Sequence, residues 1–418
     1  MKESKAKTPW LWIPTLYFAE GIPYFLVNTI SVIMFKNLGM SNGRIAALTS
    51  LLYLPWVIKP FWSPFVDIIG TKRRWILWMQ GLMSAGFAAI ALSVSPNGFG
   101  LTLALFWIAA FASATHDIAA DGFYMLALDS TSQAFFVGIR STFYRLSSVF
   151  GQGVLVFVAG LLEKRLGNVP MAWRITLSAS AVLLFAITLY HVYVMPRPSD
   201  DSPRDARTAG DIFREFGRTF ATFFTKRNIF LAMLFMLLFR LPEALSIKML
   251  SPFMLDGAAQ GGLALSTDQV GIAYGTIGII GLTVGGILGG MAASRWGLRR
   301  SLVPMACCVA VPCLVYVYMA AAQPSSLWII SGCIFLDQFG YGFGFTAYLL
   351  YLIWFSEGEF KTSHYSLCTA FMALSMMIPG FFAGWIQEAM GYTGFFILVM
   401  ACSVISVGIT AIAAKKVD

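Results

Sequence analysis

The stretch Asp67-Ile68-Ile69-Gly70-Thr71-Lys72-Arg73-Arg74 separates two long apolar segments and returns once in the second half of the chain. The second copy reads Ser294-Arg295-Trp296-Gly297-Leu298-Arg299-Arg300 and also lies between apolar segments. Each copy combines a glycine turn with a basic cluster, but the second copy lacks the acid. The recurrence predicts two repeated halves, with any charge latch at this loop confined to the first half.

Composition places the chain in a membrane. Of its 418 residues, 58% are hydrophobic and 12% are charged, and the mean hydropathy is +0.74. A soluble protein carries about 25% charged residues, and one membrane span takes about 20 mostly apolar residues. The sequence predicts twelve spans, at 9–35, 42–66, 75–95, 101–128, 135–162, 172–195, 228–255, 267–293, 301–322, 326–355, 363–388 and 392–414.

The net charge of +9 follows membrane topology. If the N-terminus is cytosolic, most Lys and Arg residues fall on cytosolic segments, as the positive-inside rule requires. Only five fall on the opposite side: Lys36, Arg44, Lys164, Arg165 and Arg174. We therefore expect both termini in the cytosol and no nucleic-acid partner. The six cysteines lie in apolar stretches, and they predict neither a disulfide framework nor a metal site.

One long polar segment divides the chain. It begins with a Pro- and charge-rich linker and continues with apolar residues at helical spacing, Ile212, Phe213, Phe216, Phe220, Phe223 and Phe224. This pattern is typical of a helix that lies on a membrane surface. The predicted organisation is a six-helix bundle at 1–195, a cytosolic linker with an amphipathic helix at 196–227, and a second six-helix bundle at 228–418. The predicted fold is thus an all-α membrane protein with two pseudo-symmetric bundles.

Acidic residues occur at predicted membrane depth, where a charge costs roughly 2.5–3.5 kcal/mol. They are Glu20, Asp117, Asp121, Glu243 and Asp337. Asp117 and Asp121 share one helix face, so at least one of them needs a basic partner or a proton. Two interpretations stay open at this point: ion pairs that hold helices together, as Arg240 and Glu243 could form at i,i+3, or protonation sites coupled to transport. His116 could join a proton relay or serve as a plain hydrogen-bond partner.

Basic, amide and aromatic side chains near these acids are candidates for binding a sugar or another bulky amphipathic solute. The candidate substrate-binding residues are Lys59, Arg140, Arg145, Arg240, Tyr24, Trp56, Tyr124, Tyr144, Gln338 and Tyr341. Nothing in the sequence predicts a cofactor. Glycines at four-residue spacing, Gly281, Gly285 and Gly289, predict close helix packing rather than a phosphate-binding loop.

The repeated loop resembles the signature loop between helices two and three of the major facilitator superfamily, and Asp67, Gly70, Arg73 and Arg74 would form its gating loop. Other segments resemble the AmpG-type muropeptide permeases within that superfamily. The run Ser113–Phe123, with Asp117-Ile118-Ala119-Ala120-Asp121, is similar to the family's S-x-Q-D-I-A-x-D-A-Y motif. Further similar segments are Leu54–Asp67, Glu20–Pro23, Tyr144–Leu146, Leu238–Leu245 and Ser251–Phe253.

This resemblance implies proton-driven import of N-acetylglucosamine–anhydro-N-acetylmuramic acid and its peptides across the bacterial inner membrane, by a monomeric multi-pass carrier. It also implies that helices one, four, seven and ten line a central cavity, and all five acids fall on those four helices. Carried over by position, the functional charges are Lys59, Asp117, Asp121, Arg145 and Glu243. Glu20, His116 and Pro242 depart from the family pattern and are compatible with a shifted substrate.

Three alternatives remain at this stage. One is a carrier of a siderophore, an acyl-CoA or another bulky amphipathic solute. Another is a membrane-embedded transferase, which the spread of carboxylates over four helices disfavours. The last is a channel, which would need one polar face sustained along a pore helix. We therefore expect a transporter rather than an enzyme.

Overall fold

The computed structural model describes residues 8–95, 98–199, 201, 209–358 and 360–417, and within these ranges every regular element is a helix. The α-helices of the first half are α1 Ile13–Phe25, α2 Ser31–Asn37, α3 Asn42–Leu51, α4 Leu54–Ile68, α5 Lys72–Ser93, α6 Phe99–Ala127, α7 Ser130–Ser148, α8 Val156–Leu166 and α9 Val169–Val194. Short π-helical segments, Leu26–Ile30 and Val149–Leu155, join α1 to α2 and α7 to α8.

The remaining α-helices are α10 Ala209–Phe224, α11 Ile229–Leu238, α12 Leu241–Leu255, α13 Thr267–Ile272, α14 Ile279–Trp296, α15 Leu298–Ala310, α16 Leu314–Ala322, α17 Leu327–Ser356 and α18 Lys361–Ala414. Another π-helical segment, Ala273–Gly278, connects α13 to α14. The predicted all-α character is confirmed for the described residues.

Ten helical stretches in the described part of the chain are long and apolar enough to cross a membrane. They are Pro9–Asn37, Asn42–Ser63, Lys72–Ser93, Phe99–Ala127, Gly138–Leu166, Val169–Val194, Ile229–Leu255, Thr267–Trp296, Leu298–Ala322 and Ser363–Ala414. The predicted tenth span corresponds to α17, a 30-residue helix outside this set. The predicted last two spans lie in α18, where Gly391 has non-helical angles (φ 70°, ψ 172°). The twelve-helix layout itself stays a prediction.

The chain forms two compact units, each assembled from separated segments. Unit 1 contains Met1–Val27, Ile58–Gly151 and Leu162–Phe216, and unit 2 contains Asn28–Val57, Gln152–Leu161 and Gly217–Asp418. The core of unit 1 includes Trp12, Tyr17 and Phe123. That of unit 2 includes Phe235, Phe239 and Tyr348. The predicted division of the chain at 196–227 stays a prediction.

Close helix packing in unit 2 depends on the predicted glycine stripe of α14. A Cβ atom on Gly285 would lie 2.1 Å from the carbonyl oxygen of Phe339 on α17. Gly281 and Gly289 meet the backbone of the same helix one turn away on either side. A larger residue at these positions would therefore separate α14 from α17.

The two copies of the repeated loop share one backbone feature. Gly70 and Gly297 both have positive φ, 83° and 74°, a conformation that favours glycine. Each glycine ends one helix and leads into the next, α4 to α5 and α14 to α15. The equivalence inferred from the sequence is therefore visible in the backbone.

The amphipathic helix predicted in the linker forms as α10, but its apolar residues are not all available to a membrane surface. Phe223 is fully buried in the core of unit 2, where its ring contacts those of Phe355 and Phe371. The surroundings of the Ile212, Phe213 and Phe216 side chains and of 202–208 lie outside the described part. The last turn of α10 thus packs on protein, because α17 and α18 offer it an aromatic surface.

Candidate functional site

The acids of unit 1 are held by cations from other helices. Asp117 and Asp121 lie one turn apart on α6. Nζ of Lys59 on α4 lies 2.5 Å from Oδ2 of Asp117. An Nη of Arg140 on α7 lies 3.0 Å from Oδ1 of Asp121. Four of the charged residues singled out in the first half, Lys59, Asp117, Asp121 and Arg140, therefore form two ion pairs between helices.

Glu20 joins this group from α1. Its side chain is buried, and its carboxyl group interacts electrostatically with that of Asp117. Oε2 of Glu20 is buried and has no hydrogen-bond partner among the described residues. Two carboxyl groups can form a hydrogen bond only if one of them carries a proton. The arrangement of Glu20, Asp117 and Lys59 therefore suits one shared proton and one positive charge.

Tyrosines surround the second ion pair. The Arg140 guanidinium lies over the rings of Tyr17, at 4.6 Å, and Tyr124, at 5.1 Å. The Tyr17 hydroxyl donates to Oδ1 of Asp121 at 3.4 Å. Cation–π contact of this kind stabilises a partly desolvated guanidinium. Three of the predicted substrate-binding residues, Lys59, Arg140 and Tyr124, thus lie at the acid group.

His116 belongs to a series of hydrogen-bonded polar side chains, the buried polar chain, that the sequence analysis missed. Gln80 on α5 donates through Nε2 to Nε2 of His116 at 3.0 Å, and its Oε1 accepts from Nδ1 of His191 on α9 at 2.9 Å. Nε2 of His191 lies 2.9 Å from the hydroxyl of Thr15 on α1. Both histidines and Gln80 are fully buried. The only sequence signal for this chain is the presence of polar residues within apolar spans.

In unit 2 the predicted pair Arg240–Glu243 forms within one helical turn. Nε and Nη2 of Arg240 donate to the two oxygens of Glu243 at 2.8 and 2.7 Å. Nη2 also donates to the Tyr341 hydroxyl at 3.0 Å, and the guanidinium lies 4.9 Å from the Phe345 ring centroid. Both carboxylate oxygens of Glu243 are thereby engaged by one guanidinium.

Asp337 has different surroundings. Its Oδ2 accepts from the Tyr316 hydroxyl at 2.5 Å and from Nε2 of Gln338 at 3.0 Å. Among the described residues, no basic side chain forms an ion pair with it. Asp337 and Glu243 both line a small cavity of about 40 Å³.

A further polar group in unit 2 was not predicted, and we name Lys36, Asn42, Asp256, Gln387 and Tyr392 the clasp. Nζ of Lys36 lies 2.5 Å from Oδ1 of Asp256, and the Tyr392 hydroxyl donates to Oδ2 of Asp256 at 2.6 Å. Asn42 donates to Oε1 of Gln387 at 2.7 Å and accepts from Lys36 at 2.8 Å. The clasp ties α2 and α3 to α12 and α18.

A linker residue that sequence reasoning also missed caps the first helix after the predicted gating loop. The carboxylate of Asp201 accepts from the backbone N–H groups of Lys72 and Arg73 at 2.7 and 3.0 Å, at the start of α5. Arg73 donates through Nη2 to the carbonyl of Val192 at 2.6 Å. An acid at a helix N-terminus is favourable because that end carries partial positive charge. The Asp67 side chain lies outside the described part, so its predicted latch stays a prediction.

The remaining predicted residues lie in both units. In unit 1 the rings of Tyr24 and Tyr144 have centroids 6.4 Å apart, and Arg145 is exposed. In unit 2 Trp56 is buried, and Gln338 and Tyr341 line the small cavity. Their roles in substrate binding, and the single cavity expected to unite the five acids, stay predictions.

Residues 15–353 match the Major Facilitator Superfamily, and the chain belongs to that superfamily of transporters. Among known proteins it is similar to the anhydromuropeptide permease of Escherichia coli (strain K12), with 24% identity covering 93% of this chain and 76% of the relative. It is also similar to the putative transporter AmpG 4 of Rickettsia felis, with 23% identity covering 96% of each chain. Among solved structures, a bacterial homolog of the human lysosomal transporter Spinster has a TM-score of 0.72 at 15% identity and covers 99% of this chain and 98% of that one.

These similarities confirm several expectations. The protein is a multi-pass membrane transporter of the major facilitator fold rather than an enzyme, and the resemblance to AmpG-type permeases holds at low identity. Apolar side chains on its surface agree with a lipid surround: Trp78 is 75% exposed and Trp328 is 82% exposed. The comparisons favour a transporter over the channel and transferase alternatives.

Proposed function

We propose that the protein is a proton-coupled importer of cell-wall muropeptides, N-acetylglucosamine–anhydro-N-acetylmuramic acid and its peptides, working by alternating access in a bacterial inner membrane. The solute class is supported by the anhydromuropeptide permease relative. The proton coupling is supported by the acids of unit 1. The single observation that carries the proposal is the buried Lys59–Asp117 ion pair with the buried carboxyl group of Glu20 close to it, which places two acids beside one cation.

Glu20 and Asp117 together supply a site for one exchangeable proton. A hydrogen bond between the two groups needs a proton on one of them, and Lys59 balances the remaining charge. Losing that proton would leave two adjacent carboxylates with one cation, which is costly at membrane depth. The site would bind this proton while it is open to one side of the membrane and release it while it is open to the other. Solute movement would thereby be linked to the proton gradient.

The ion pairs of unit 1 also provide a way to couple the proton to an anionic solute. Anhydro-N-acetylmuramic acid carries a carboxylate. When Asp117 or Asp121 is protonated, Lys59 or Arg140 loses its protein partner and can pair with the solute carboxylate instead. Proton and solute then bind cooperatively, because each stabilises the arrangement that the other needs.

The clasp in unit 2 suits the other requirement, a barrier that opens and closes. Its members come from the ends of α2, α3 and α12 and from α18, next to segments that the charge pattern assigns to the outside. We assign it the closed outer gate. Separation of Lys36 from Asp256 would then be needed before a solute could enter from outside.

The test is uptake of radiolabelled N-acetylglucosamine–anhydro-N-acetylmuramic acid into proteoliposomes, with the membrane potential clamped and a pH difference imposed. Accumulation is expected to rise by about tenfold per pH unit for each co-transported proton. Glu20→Gln should reduce the accumulation but preserve exchange of labelled for unlabelled solute, since Gln can donate to Asp117 as a protonated Glu does. Uptake that ignores the pH difference in the wild type would overturn the coupling, and absence of exchange would overturn the solute class.

A further inference from the structure

The small cavity of unit 2 brings together two acids in contrasting states. Glu243 has both oxygens bound to one guanidinium. Asp337 is 7% exposed, and the two hydrogen bonds that it accepts, from Tyr316 and Gln338, both go to Oδ2 and come from neutral donors. The contrast decides which of the two acids can exchange a proton.

Protonation of Glu243 would leave Arg240 as an uncompensated buried cation. Removing one partner of a buried pair is strongly unfavourable, and among the described residues no second acid forms an ion pair with Arg240. Asp337 has no basic partner among the described residues. Its protonation therefore removes a buried charge and leaves no cation without its partner. A neutral Asp337 can also keep one of its hydrogen bonds, so the exchange has a low structural cost.

The size of the cavity determines what can reach Asp337. A cavity of about 40 Å³ holds about three waters, at roughly 10–15 Å³ each. A sugar ring is larger than this, so in this conformation the cavity has room for water rather than for solute. Its polar lining, which includes Ser246, Tyr274, Tyr316 and Gln338, supplies the hydrogen bonds that such waters need.

We infer that Asp337 is a second proton-binding site, reached through a water-filled side chamber in unit 2, and that Glu243 is the fixed counter-ion of Arg240. The proton passes from a chamber water to the Asp337 carboxylate and returns to water, and no other bond changes. The titratable and charged groups that face this site are Arg240, Glu243, Tyr274, Cys313, Tyr316 and Tyr341. This inference rests on the proposed proton-coupled transport and adds a second proton to its cycle.

The first test measures the logarithm of solute accumulation against the imposed pH difference, with the membrane potential clamped. Two coupled protons predict about hundredfold accumulation per pH unit, and Asp337→Asn lowers this to about tenfold. Ile247→Val is the matched control, because Ile247 lines the same chamber and the substitution removes neither a polar nor a titratable group, and its slope should equal that of the wild type. An unchanged slope in Asp337→Asn overturns the inference.

The second test needs no solute, so it separates this inference from the proposed function. Infrared difference spectra of the purified protein between low and high pH report the C=O band of protonated carboxyl groups. Asp337→Asn should lose one such component. If the component survives in Asp337→Asn and disappears in Glu243→Gln, the two roles are reversed and the inference fails.

Tyr316→Phe provides a second variant for the case in which Asp337→Asn does not fold. The variant removes a donor that stabilises the charged form of Asp337. The carboxyl band is then expected to persist to higher pH than in the wild type. A band with the wild-type pH dependence would show that the titrating acid is not the one bound to Tyr316. Wild-type uptake that is insensitive to pH, together with an intact Asp337 band, would defeat the proposed function and leave the proton site standing.

Discussion

The acids predicted at membrane depth, unlike Asp256 of the clasp, are neutralised in different ways in the two units. In unit 1 each cation comes from a different helix than its acid: Lys59 on α4 meets Asp117 on α6, and Arg140 on α7 meets Asp121. In unit 2 Arg240 and Glu243 pair within a single turn. A pair between helices can be made and broken when helices shift, whereas a pair within one turn moves as a body. We therefore interpret the paired acids of unit 1 as groups that can exchange a proton, and Arg240–Glu243 as a fixed ion pair that does not. In unit 2 the acid that exchanges a proton is Asp337.

The largest expected effect comes from breaking the fixed pair. Glu243→Gln leaves the buried Arg240 without a counter-charge, and we expect a loss of about 3–5 kcal/mol in the free energy of unfolding. Thermal unfolding of the purified protein in detergent measures the change. Replacing both residues by Met should recover most of the loss, because an apolar pair of similar size leaves no orphan charge.

The matching change in unit 1 sharpens the contrast. Lys59→Met also removes a cation, but Asp117 can respond by taking a proton, with Glu20 as its neighbour. Its stability loss should therefore be smaller than that of Glu243→Gln and should shrink further at low pH. Equal losses for Lys59→Met and Glu243→Gln at every pH would remove the distinction between exchangeable and fixed charge.

Next in size is the loss of gradient-driven accumulation. Glu20→Gln combined with Asp337→Asn replaces both proposed proton sites by neutral mimics, and accumulation should fall from about hundredfold per pH unit to none. Solute exchange without a gradient should continue, since neither substitution removes a cation. Residual accumulation of about tenfold per pH unit in the double variant would mean that another acid, such as Asp121, carries a proton.

A smaller effect is expected from the clasp. Asp256→Asn removes the charge that holds Lys36 and should shift the population toward an open outer face by about tenfold, as loss of one charged hydrogen bond of about 1.4 kcal/mol would do. The measurement is the labelling rate of Thr267→Cys by a membrane-impermeant thiol reagent, in a background without the native cysteines. Thr267 is buried and accepts a hydrogen bond from Asn37 beside the clasp.

The control for the clasp lies in the same unit. Glu357→Gln breaks an exposed pair with Lys361 at 3.8 Å, where both side chains are more than half exposed. Such a pair contributes little, so the labelling rate should stay at the wild-type value. Equal rates for Asp256→Asn and Glu357→Gln would mean that the clasp does not hold a gate.

Most of the spans could be predicted, as could the acids within them, because their signals are local. A run of about 20 apolar residues defines a span by itself, and an acid within such a run stands out at once. The Arg240–Glu243 pair was also predictable, since i,i+3 spacing places two side chains together on any helix. Even the glycine turn of the repeated loop follows from the residue type.

The partners across helices could not be predicted in the same way. The hydrogen bond between Asn42 and Tyr392 joins residues 350 apart in the chain, and periodicity along one helix does not specify which other helix it meets. Gln80 and His191 likewise have no motif. The contrast between fixed and exchangeable acids therefore required the structure, because it depends on where each cation comes from.

The smallest effect is expected at His116, and it tests whether the buried polar chain takes part in the exchange. His116→Gln keeps an acceptor for Gln80 and restores the residue usual in the resembling permeases, so the slope of accumulation against pH difference should stay unchanged. His116→Leu leaves the Gln80 amide unsatisfied and should cost about 1–3 kcal/mol in stability, again with the slope intact. The two variants together show whether the buried polar chain only stabilises the fold or also transfers a proton. A slope lowered by about one proton in His116→Gln would place this histidine among the exchangeable groups of unit 1 and extend the contrast beyond the acids.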